Sequence, residues 1–351
     1  MNDRIPVGLV GVTGYTGMEL ARIMAYHPSM ELVCVTSRAE SGKLLQEIYP
    51  FLTGTSLGSL EITAPNPKEL AANCRLVFLA VPHKTAMEIA DALLCEGTKV
   101  VDLSADFRLN DKDVYEKWYQ TEHSRVGRLS EAVYGLPELY RDEIAGADLV
   151  ANPGCYPTSA ILGLYPALAE GLVETDDIVI DSKSGTSGAG RKATVGTLFC
   201  EVHDSFRAYG LGKHRHTPEI EQEISKIAGH SLTVSFNTHL LPIDRGILST
   251  IYTRCKGELS LEQAHAAYAG YYDAEPWVRL LPMGSLPETR WVRGTNYCDI
   301  GLVVDPRTKR LIMLAAIDNL CRGASGQAVS NANLMLGLEP DAGLRLAPLM
   351  P

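Results

Sequence analysis

Hydrophobic positions near the start of the chain alternate between two rhythms. Residues 5 to 11, Ile-Pro-Val-Gly-Leu-Val-Gly, form a short continuous apolar run suited to a buried strand, and Met18 to Tyr26 carries apolar residues at helical spacing. Glu31 to Thr36, Arg75 to Val81 and Lys99 to Leu103 read as further strands, with a helix from Thr85 to Leu94 between the last two. This alternation predicts an α/β fold built on a parallel, doubly wound sheet. After Cys155 the texture changes. A helix over Tyr156 to Ala169 leads to a strand at Ile178 to Ser182, and strand-like segments at Ser231 to His239, Gly246 to Cys255, Asp299 to Val304 and Leu311 to Ile317 predict a mixed or antiparallel sheet. Small residues between Asp318 and Leu336 predict a helix able to pack close to another backbone. The chain contains no repeat, low-complexity tract or long linker.

At 351 residues the chain is long for one hydrophobic core, so two domains are expected. The 42 acidic and 32 basic residues leave a net charge of -10, which argues against a surface built to hold nucleic acid phosphates but leaves room for a local anion pocket. No apolar run approaches the roughly 18 residues a membrane span needs, and no basic-then-apolar leader opens the chain, so a cytoplasmic protein without membrane contact is expected. Eight scattered cysteines without a CxxC pair suit reduced thiols. Cys200-x-x-His203 followed by His214-x-His216 is the one spacing that points towards zinc. Its loop is longer than usual zinc-finger spacings and no second close pair follows, so no metal is expected.

Between the first strand and helix lies Gly11-Val12-Thr13-Gly14-Tyr15-Thr16-Gly17. A strand, a glycine turn and a helix, in that order, form a dinucleotide site: glycines permit positive φ and close backbone approach, and pyrophosphate charge rests against helix N–H groups. The spacing is GxxGxxG rather than GxGxxG, and a plain tight turn is the alternative. The next strand ends in Ser37-Arg38, where an NAD enzyme usually has an acidic residue for the ribose 2'-hydroxyl; a cation beside a hydroxyl favours the 2'-phosphate of NADP, unless Arg38 is merely solvated. Arg108, in Asp102-Leu103-Ser104-Ala105-Asp106-Phe107-Arg108 at a strand's carboxyl end, has a fork suited to phosphate or carboxylate, or to an ion pair with Asp102 or Asp106. In Ala151-Asn152-Pro153-Gly154-Cys155-Tyr156-Pro157 a Pro-Gly turn opens a helix at a thiol, where unpaired N–H groups and the helix dipole favour thiolate. A nucleophilic Cys155 beside a nicotinamide points to hydride chemistry through an acyl-enzyme, whereas a buried Cys155 is only a small hydrophobe. In Lys213-His214-Arg215-His216-Thr217-Pro218-Glu219, Thr217 suits the N-cap, Pro218 the first helical position and the acids the first turn, so two histidines project just before a helix. Imidazole is the acid/base that a thiol nucleophile needs near neutral pH, and surface histidines without a role are the alternative.

Together with Ser187-Gly188-Ala189-Gly190 and Gly323-Ala324-Ser325-Gly326-Gln327-Ala328, these segments resemble, in order and over nearly the whole chain, the N-acetyl-gamma-glutamyl-phosphate reductase family of arginine biosynthesis. The resemblance implies a Rossmann-type nucleotide domain formed by residues 1–153 and 320–351, and an α+β catalytic and oligomerisation domain at 154–319. It implies reduction of an acyl phosphate by NADPH, with Cys155 forming a thioester and the acid/base drawn from His214 and His216; position beside the cap favours His216. Arg108, Asn152 and Ser184 would hold substrate and phosphate. Gly11, Thr13, Gly14, Tyr15, Thr16, Gly17, Ser37, Arg38, Gly188 and Gln327 would hold the cofactor. A homo-oligomer, dimeric or tetrameric, with a small-molecule acyl phosphate as substrate is the expected assembly.

Aspartate-semialdehyde dehydrogenase is the nearest rival; Ser184 before the Ser-Gly-Ala-Gly turn, and Gly246-Ile247 where that family tends to a Gly-His pair, favour the N-acetylglutamyl substrate. A substrate riding on a carrier protein is equally compatible with the basic residues Lys183, Arg191, Lys192, Lys213 and Arg215. A non-catalytic NADP-sensing regulator is the rival from outside enzymology, and retention of Cys155, Arg108 and both histidines counts against it.

Overall fold

The computed structural model describes residues 4–350, and the chain divides into two compact units. One holds the described residues up to Pro153 together with Ala324–Arg345; the other holds Gly154–Gly323 and the tail from Leu346.

The first unit is built on seven strands, β1 (Ile5–Val10), β2 (Met30–Thr36), β3 (Ile62–Thr63), β4 (Leu76–Leu79), β5 (Lys99–Asp102), β6 (Ala132–Tyr134) and β7 (Leu149–Ala151), in the order β3-β2-β1-β4-β5-β7-β6. Every pairing is parallel. Central strands covered on both faces are continuous apolar runs, as in Leu76-Val77-Phe78-Leu79, where all four side chains are buried. The order reverses direction between β1 and β4, which places the carboxyl ends of these strands at the crevice where open α/β sheets bind ligands. The sequence periodicity does not reveal β6 and β7, because three residues are too few to display a period.

The first helix runs Tyr15–Met24 and so opens ahead of the apolar pattern that begins at Met18; its first turn belongs to the glycine motif. The small-residue segment near the C-terminus is not one helix from Asp318. A π-helical turn, Cys321–Ser325, precedes the helix Gly326–Met335. The Asp318 carboxylate accepts the N–H groups of Leu320 and Cys321 and so fixes the start of that turn. The Gly326–Met335 helix is joined to the parallel sheet's unit by Ser325 Oγ donating to Thr16 O (2.8 Å) and by Asn331 Nδ2 donating to Gly135 O (2.9 Å).

Buried His27 closes the far end of this helix. Its Nδ1 accepts the Met30 N–H (2.8 Å), its Nε2 lies 3.1 Å from Asn333 Oδ1, and its ring is so near Gly343 that a Cβ there would be 2.3 Å from it. Burial holds this imidazole below its ordinary 6.5. The unfolded chain therefore takes up the proton first, and stability is lost as pH falls below about 6.5. A smaller drop in urea midpoint between pH 7 and pH 5 for His27→Gln than for the native protein is the expected result.

The second unit carries β8 (Val179–Ser184), β9 (Arg207–Tyr209), β10 (Ser235–Leu240), β11 (Ile247–Arg254), β12 (Val278–Leu280), β13 (Cys298–Asp305) and β14 (Arg310–Ile317), ordered β12-β13-β14-β11-β8-β10-β9. Antiparallel pairs at its centre and parallel pairs β10–β8 and β12–β13 make it the mixed sheet that the alternating segments predict. Alternation along β11, with Ile247, Ser249, Ile251 and Thr253 buried, turns one face onto the long helix Cys155–Ala169. Gly163 makes that approach possible, since a Cβ there would meet Ile251 at 2.6 Å.

Candidate active site

The glycine turn of the first unit is shaped by what cannot fit. Gly11 has φ +90°, and a Cβ on it would lie 2.3 Å from the Ala80 carbonyl after β4; a Cβ on Gly17 would lie 2.3 Å from Gly11 O. Gly14 differs, with only Gly11 O within 4 Å, so its outer face is open. It is also the N-cap of Tyr15–Met24, and no side chain caps that helix. The first-turn N–H groups of Tyr15, Thr16 and Gly17 thus form a cradle that fits a pyrophosphate. The end of β2 fixes the turn: Thr36 O accepts the N–H groups of Gly11 (2.9 Å) and Val12 (3.1 Å), and Thr13 Oγ1 lies 3.0 Å from Ser37 Oγ. Ser37 is buried in this contact and Arg38 beside it is exposed. Gln327, in the first turn of Gly326–Met335, is fully buried.

After β5, the Asp102–Arg108 segment folds into a buried polar knot. Asp102 accepts Ser104 N and Oγ, and its carboxyl is pushed up to about 7 by burial first and then by Asp106. Asp106 accepts Lys84 N (2.8 Å), Ala86 N (3.1 Å) and the Tyr115 hydroxyl (2.8 Å). Arg108 is held by main-chain carbonyls, donating from Nε to Asn152 O (2.7 Å) and from Nη2 to Leu103 O (2.8 Å). The Asn152 amide is itself engaged, donating to Ala324 O (3.1 Å) and accepting from Asn331 Nδ2 (3.0 Å). Asn152 therefore acts as a strut beneath Arg108 in the segment that runs on to Cys155.

In the second unit, Cys155 is the first residue of Cys155–Ala169, a helix with Gly154 as N-cap, no side-chain cap and no acid in its first turn. The first i→i−4 bond is made by Thr158 to Gly154 O, and Pro157 has no N–H, so the positive helix end is presented by Cys155 and Tyr156. Gly323 lies directly against Cys155, where a Cβ would be 2.7 Å from the Cβ of Cys155.

Both histidines of the His-Arg-His segment pack around Tyr156, whose ring centroid is 5.3 Å from His214 and 6.0 Å from His216. The helix they precede runs Thr217–Ala228, and its N-cap is His216, not Thr217. Thr217 and Pro218 both adopt the first turn, so the expected cap is displaced by one residue. His214 Nδ1 accepts the His216 N–H (3.2 Å); burial first and Arg215 second hold this imidazole down to about 4, so it is neutral at pH 7. The Tyr156 hydroxyl meets the Tyr209 hydroxyl at 2.6 Å, and burial raises both phenols, Tyr209 to about 12.

Glu219 shows what sequence reasoning missed. The sequence offers Glu219 only as an acid suited to a first turn, yet it is buried and its Oε1 accepts the Gly154 N–H at 2.8 Å. It ties the turn before Cys155 to the helix start that carries His216. Its place one helical turn after His216 was the only available signal; Tyr156 gave none beyond adjacency to Cys155, and Tyr209 gave none. Glu219→Ala leaves a buried N–H without that acceptor, a loss of about 1–3 kcal/mol, while Glu219→Gln retains an oxygen there and most of the stability. Denaturant titration of the two variants checks this.

Ser184 ends β8, buried, with Oγ donating to Gly185 O (2.9 Å), and Gly185 presses so close to Asp244 that a Cβ would lie 2.8 Å from its backbone. Gly188 follows in the short turn Thr186–Ala189, which Asn319 steadies through Ser187 Oγ (2.9 Å). No group of three or more His, Cys, Asp or Glu among the described residues is arranged to hold a metal ion, and Cys200 is exposed on the short helix Phe199–Val202.

A doubly wound unit with a helix-start cradle for pyrophosphate, in one chain with a unit that sets a cysteine at an uncapped helix start, has the organisation of a pyridine-nucleotide oxidoreductase. Two family models match, "Semialdehyde dehydrogenase, NAD binding domain" over residues 6–147 and "Semialdehyde dehydrogenase, dimerisation domain" over residues 155–319. The chain belongs to the semialdehyde dehydrogenase family. It is 54% identical over 349 residues to the N-acetyl-gamma-glutamyl-phosphate reductase of Desulfotalea psychrophila, covering 99% of this chain and 100% of that protein. The protein of the same name from Citrifermentans bemidjiense is 51% identical over 348 residues, with 99% and 100% covered. Solved structures of aspartate semialdehyde dehydrogenase share the fold: form II from Vibrio cholerae has a TM-score of 0.72 at 17% identity, and the NADP complex from Candida albicans 0.72 at 16%, each covering 95% of this chain and 99% of the other.

Proposed function

We propose that this chain reduces N-acetyl-L-glutamyl 5-phosphate to N-acetyl-L-glutamate 5-semialdehyde and phosphate, with NADPH, in arginine biosynthesis. The observation that carries this reading is Cys155 at an uncapped helix N-terminus, tied through Gly154 and Glu219 to the helix start bearing His216. The name shared by relatives at 51–54% identity over 99% of the chain supports the substrate.

Cys155 Sγ attacks the acyl carbon, the C–O bond to phosphate breaks, and a thioester forms. Bound NADPH supplies the hydride that reduces this thioester. The oxyanion of the resulting thiohemiacetal faces the first-turn N–H groups of the Cys155 helix. His216 donates a proton to that oxygen and takes it back as the C–S bond breaks, which releases the aldehyde and restores the Cys155 thiolate. His214, neutral and bonded to the His216 main chain, is a positioning residue. Arg108, braced on the Asn152 carbonyl, is the phosphate ligand. Ser184 is assigned to substrate binding, and Gly188 and Gln327 to cofactor binding.

NADP preference is assigned to Arg38, exposed beside Ser37 at the end of β2. Arg38→Asp removes a charge-assisted contact and adds repulsion, so affinity for NADPH falls far more than affinity for NADH. Fluorescence titration with both cofactors checks this, and equal losses would make Arg38 a surface residue only. Homo-oligomerisation through the second unit is supported by the description of the matching domain and by exposed Val195, Leu198, Phe199 and Phe206; light scattering measures it. A cytoplasmic location is part of the same reading. The decisive assay is phosphate-dependent NADP reduction with N-acetylglutamate semialdehyde and, in parallel, aspartate semialdehyde; faster turnover of the latter overturns the substrate assignment.

A further inference from the structure

Gly8, in the middle of β1, lacks a side chain where two thiols converge. A Cβ on Gly8 would lie 3.0 Å from Cys74 Sγ, so the Cys74 thiol occupies the space above this glycine. Cys74 is the C-cap of the helix Pro67–Asn73 and is buried in the hydrophobic cluster under it. The partner of Gly8 on the neighbouring strand is set by an irregularity. Val7 pairs with Leu32 but Gly8 pairs with Cys34, so Val33 is the extra residue of a bulge in β2. Residues paired across parallel strands point to the same face of the sheet. Cys34 therefore projects to the face on which Cys74 lies over Gly8, and it packs against the same hydrophobic cluster.

Their environments differ in the way a redox pair requires. Cys34 is partly exposed, and its thiol is drawn down to about 7 by the neighbouring Cys74. Cys74 is buried, and its neighbour Cys34 together with desolvation pushes it well above the ordinary thiol range. The more exposed Cys34 is thus the thiol that a solvent oxidant reaches first, and the buried Cys74 converges on the same face to resolve it. Neither belongs to the chemistry assigned to Cys155.

We propose that Cys34 and Cys74 form a second thiol site, a dithiol in the nucleotide-binding unit that hydroperoxides convert reversibly to an intramolecular disulfide. The Cys34 thiolate attacks one peroxide oxygen, the O–O bond breaks, and Cys34 sulfenic acid and hydroxide form when the oxidant is hydrogen peroxide. Cys74 Sγ then attacks the sulfenic sulfur; the S–O bond breaks, the departing hydroxide takes the Cys74 proton as water, and the S–S bond forms. Two electrons leave the thiols and reduce one peroxide. The bridge joins the Pro67–Asn73 helix to β2, whose Thr36 carbonyl holds the N–H groups of Gly11 and Val12. Oxidation is thereby registered on the strand that anchors the glycine turn.

The test is non-reducing peptide mapping of the folded, full-length protein after exposure to hydrogen peroxide, with free thiols alkylated beforehand in a matched control. The expected product is one cross-linked peptide joining Cys34 to Cys74, returned to two thiols by dithiothreitol. It is absent from Cys34→Ser and from Cys74→Ser and retained in Cys95→Ser, a control at an exposed cysteine. Recovery of Cys34 and Cys74 on separate peptides, whether as thiols, as sulfinic acids or bridged to other cysteines, overturns the proposal. Mapping does not depend on turnover, so oxidation of Cys155 does not confound it.

Discussion

Cys155→Ser retains the fold and the nucleotide cradle but lowers kcat by about 10⁴-fold or more. Sulfur is required twice in the cycle, first as a nucleophile strong enough to displace phosphate and then as a leaving group when the aldehyde is released. A serine ester fails at the second step even if it forms at the first. The substitution removes no large buried side chain, because Cys155 is only half-buried at the start of its helix. Nucleotide affinity therefore stays close to native, and circular dichroism is unchanged. Quenched single-turnover samples analysed by mass spectrometry show the acyl adduct on Cys155 in the native protein and nowhere in the variant. An adduct on any of the other seven cysteines would exclude Cys155 as nucleophile.

The second large effect separates the two histidines. His216→Asn loses roughly 10²- to 10⁴-fold in kcat, and the limb of the pH profile due to its imidazole disappears. His214→Asn changes KM more than kcat, because His214 acts through its bond to the His216 main chain and is already neutral at the pH of turnover. A base held down to about 4 carries no proton to donate near pH 7, so it is unsuited to act as the acid. Full activity in both single variants and in the double variant would remove this segment from the mechanism.

What was legible in the sequence followed its local rules. Ile5–Val10, the glycine turn and the helix after it announce themselves by composition and spacing, and so does the helix that Cys155 opens, since its turn chemistry and apolar spacing agree. The β11 and β14 strands are long enough to alternate. What stayed hidden depends on partners distant along the chain. Nothing near Glu219 announces that its carboxylate meets Gly154, and nothing near Arg108 announces that Asn152 O holds its guanidinium. The His216 cap eluded the sequence for a different reason: Thr217 is the better capping side chain, but its main chain is already helical, and backbone position decides the cap. Likewise, small residues from Asp318 onward fit a continuous helix, and the Asp318 carboxylate caps a π turn in their midst.

The helix Gly326–Met335 has a bearing on how the protein is made. By the time a ribosome has polymerised residues up to Pro153, every strand of the parallel sheet exists, but Ser325 and Asn331, which bond Thr16 and Gly135, remain untranslated. The same holds for Asn333, the partner of buried His27. During synthesis the nascent nucleotide unit must wait, with apolar surface uncovered, while the whole intervening unit emerges, and this interval is when a chaperone has most to bind. Pulse-proteolysis of ribosome-bound chains should find the first unit protected only after residues beyond Met335 have left the exit tunnel.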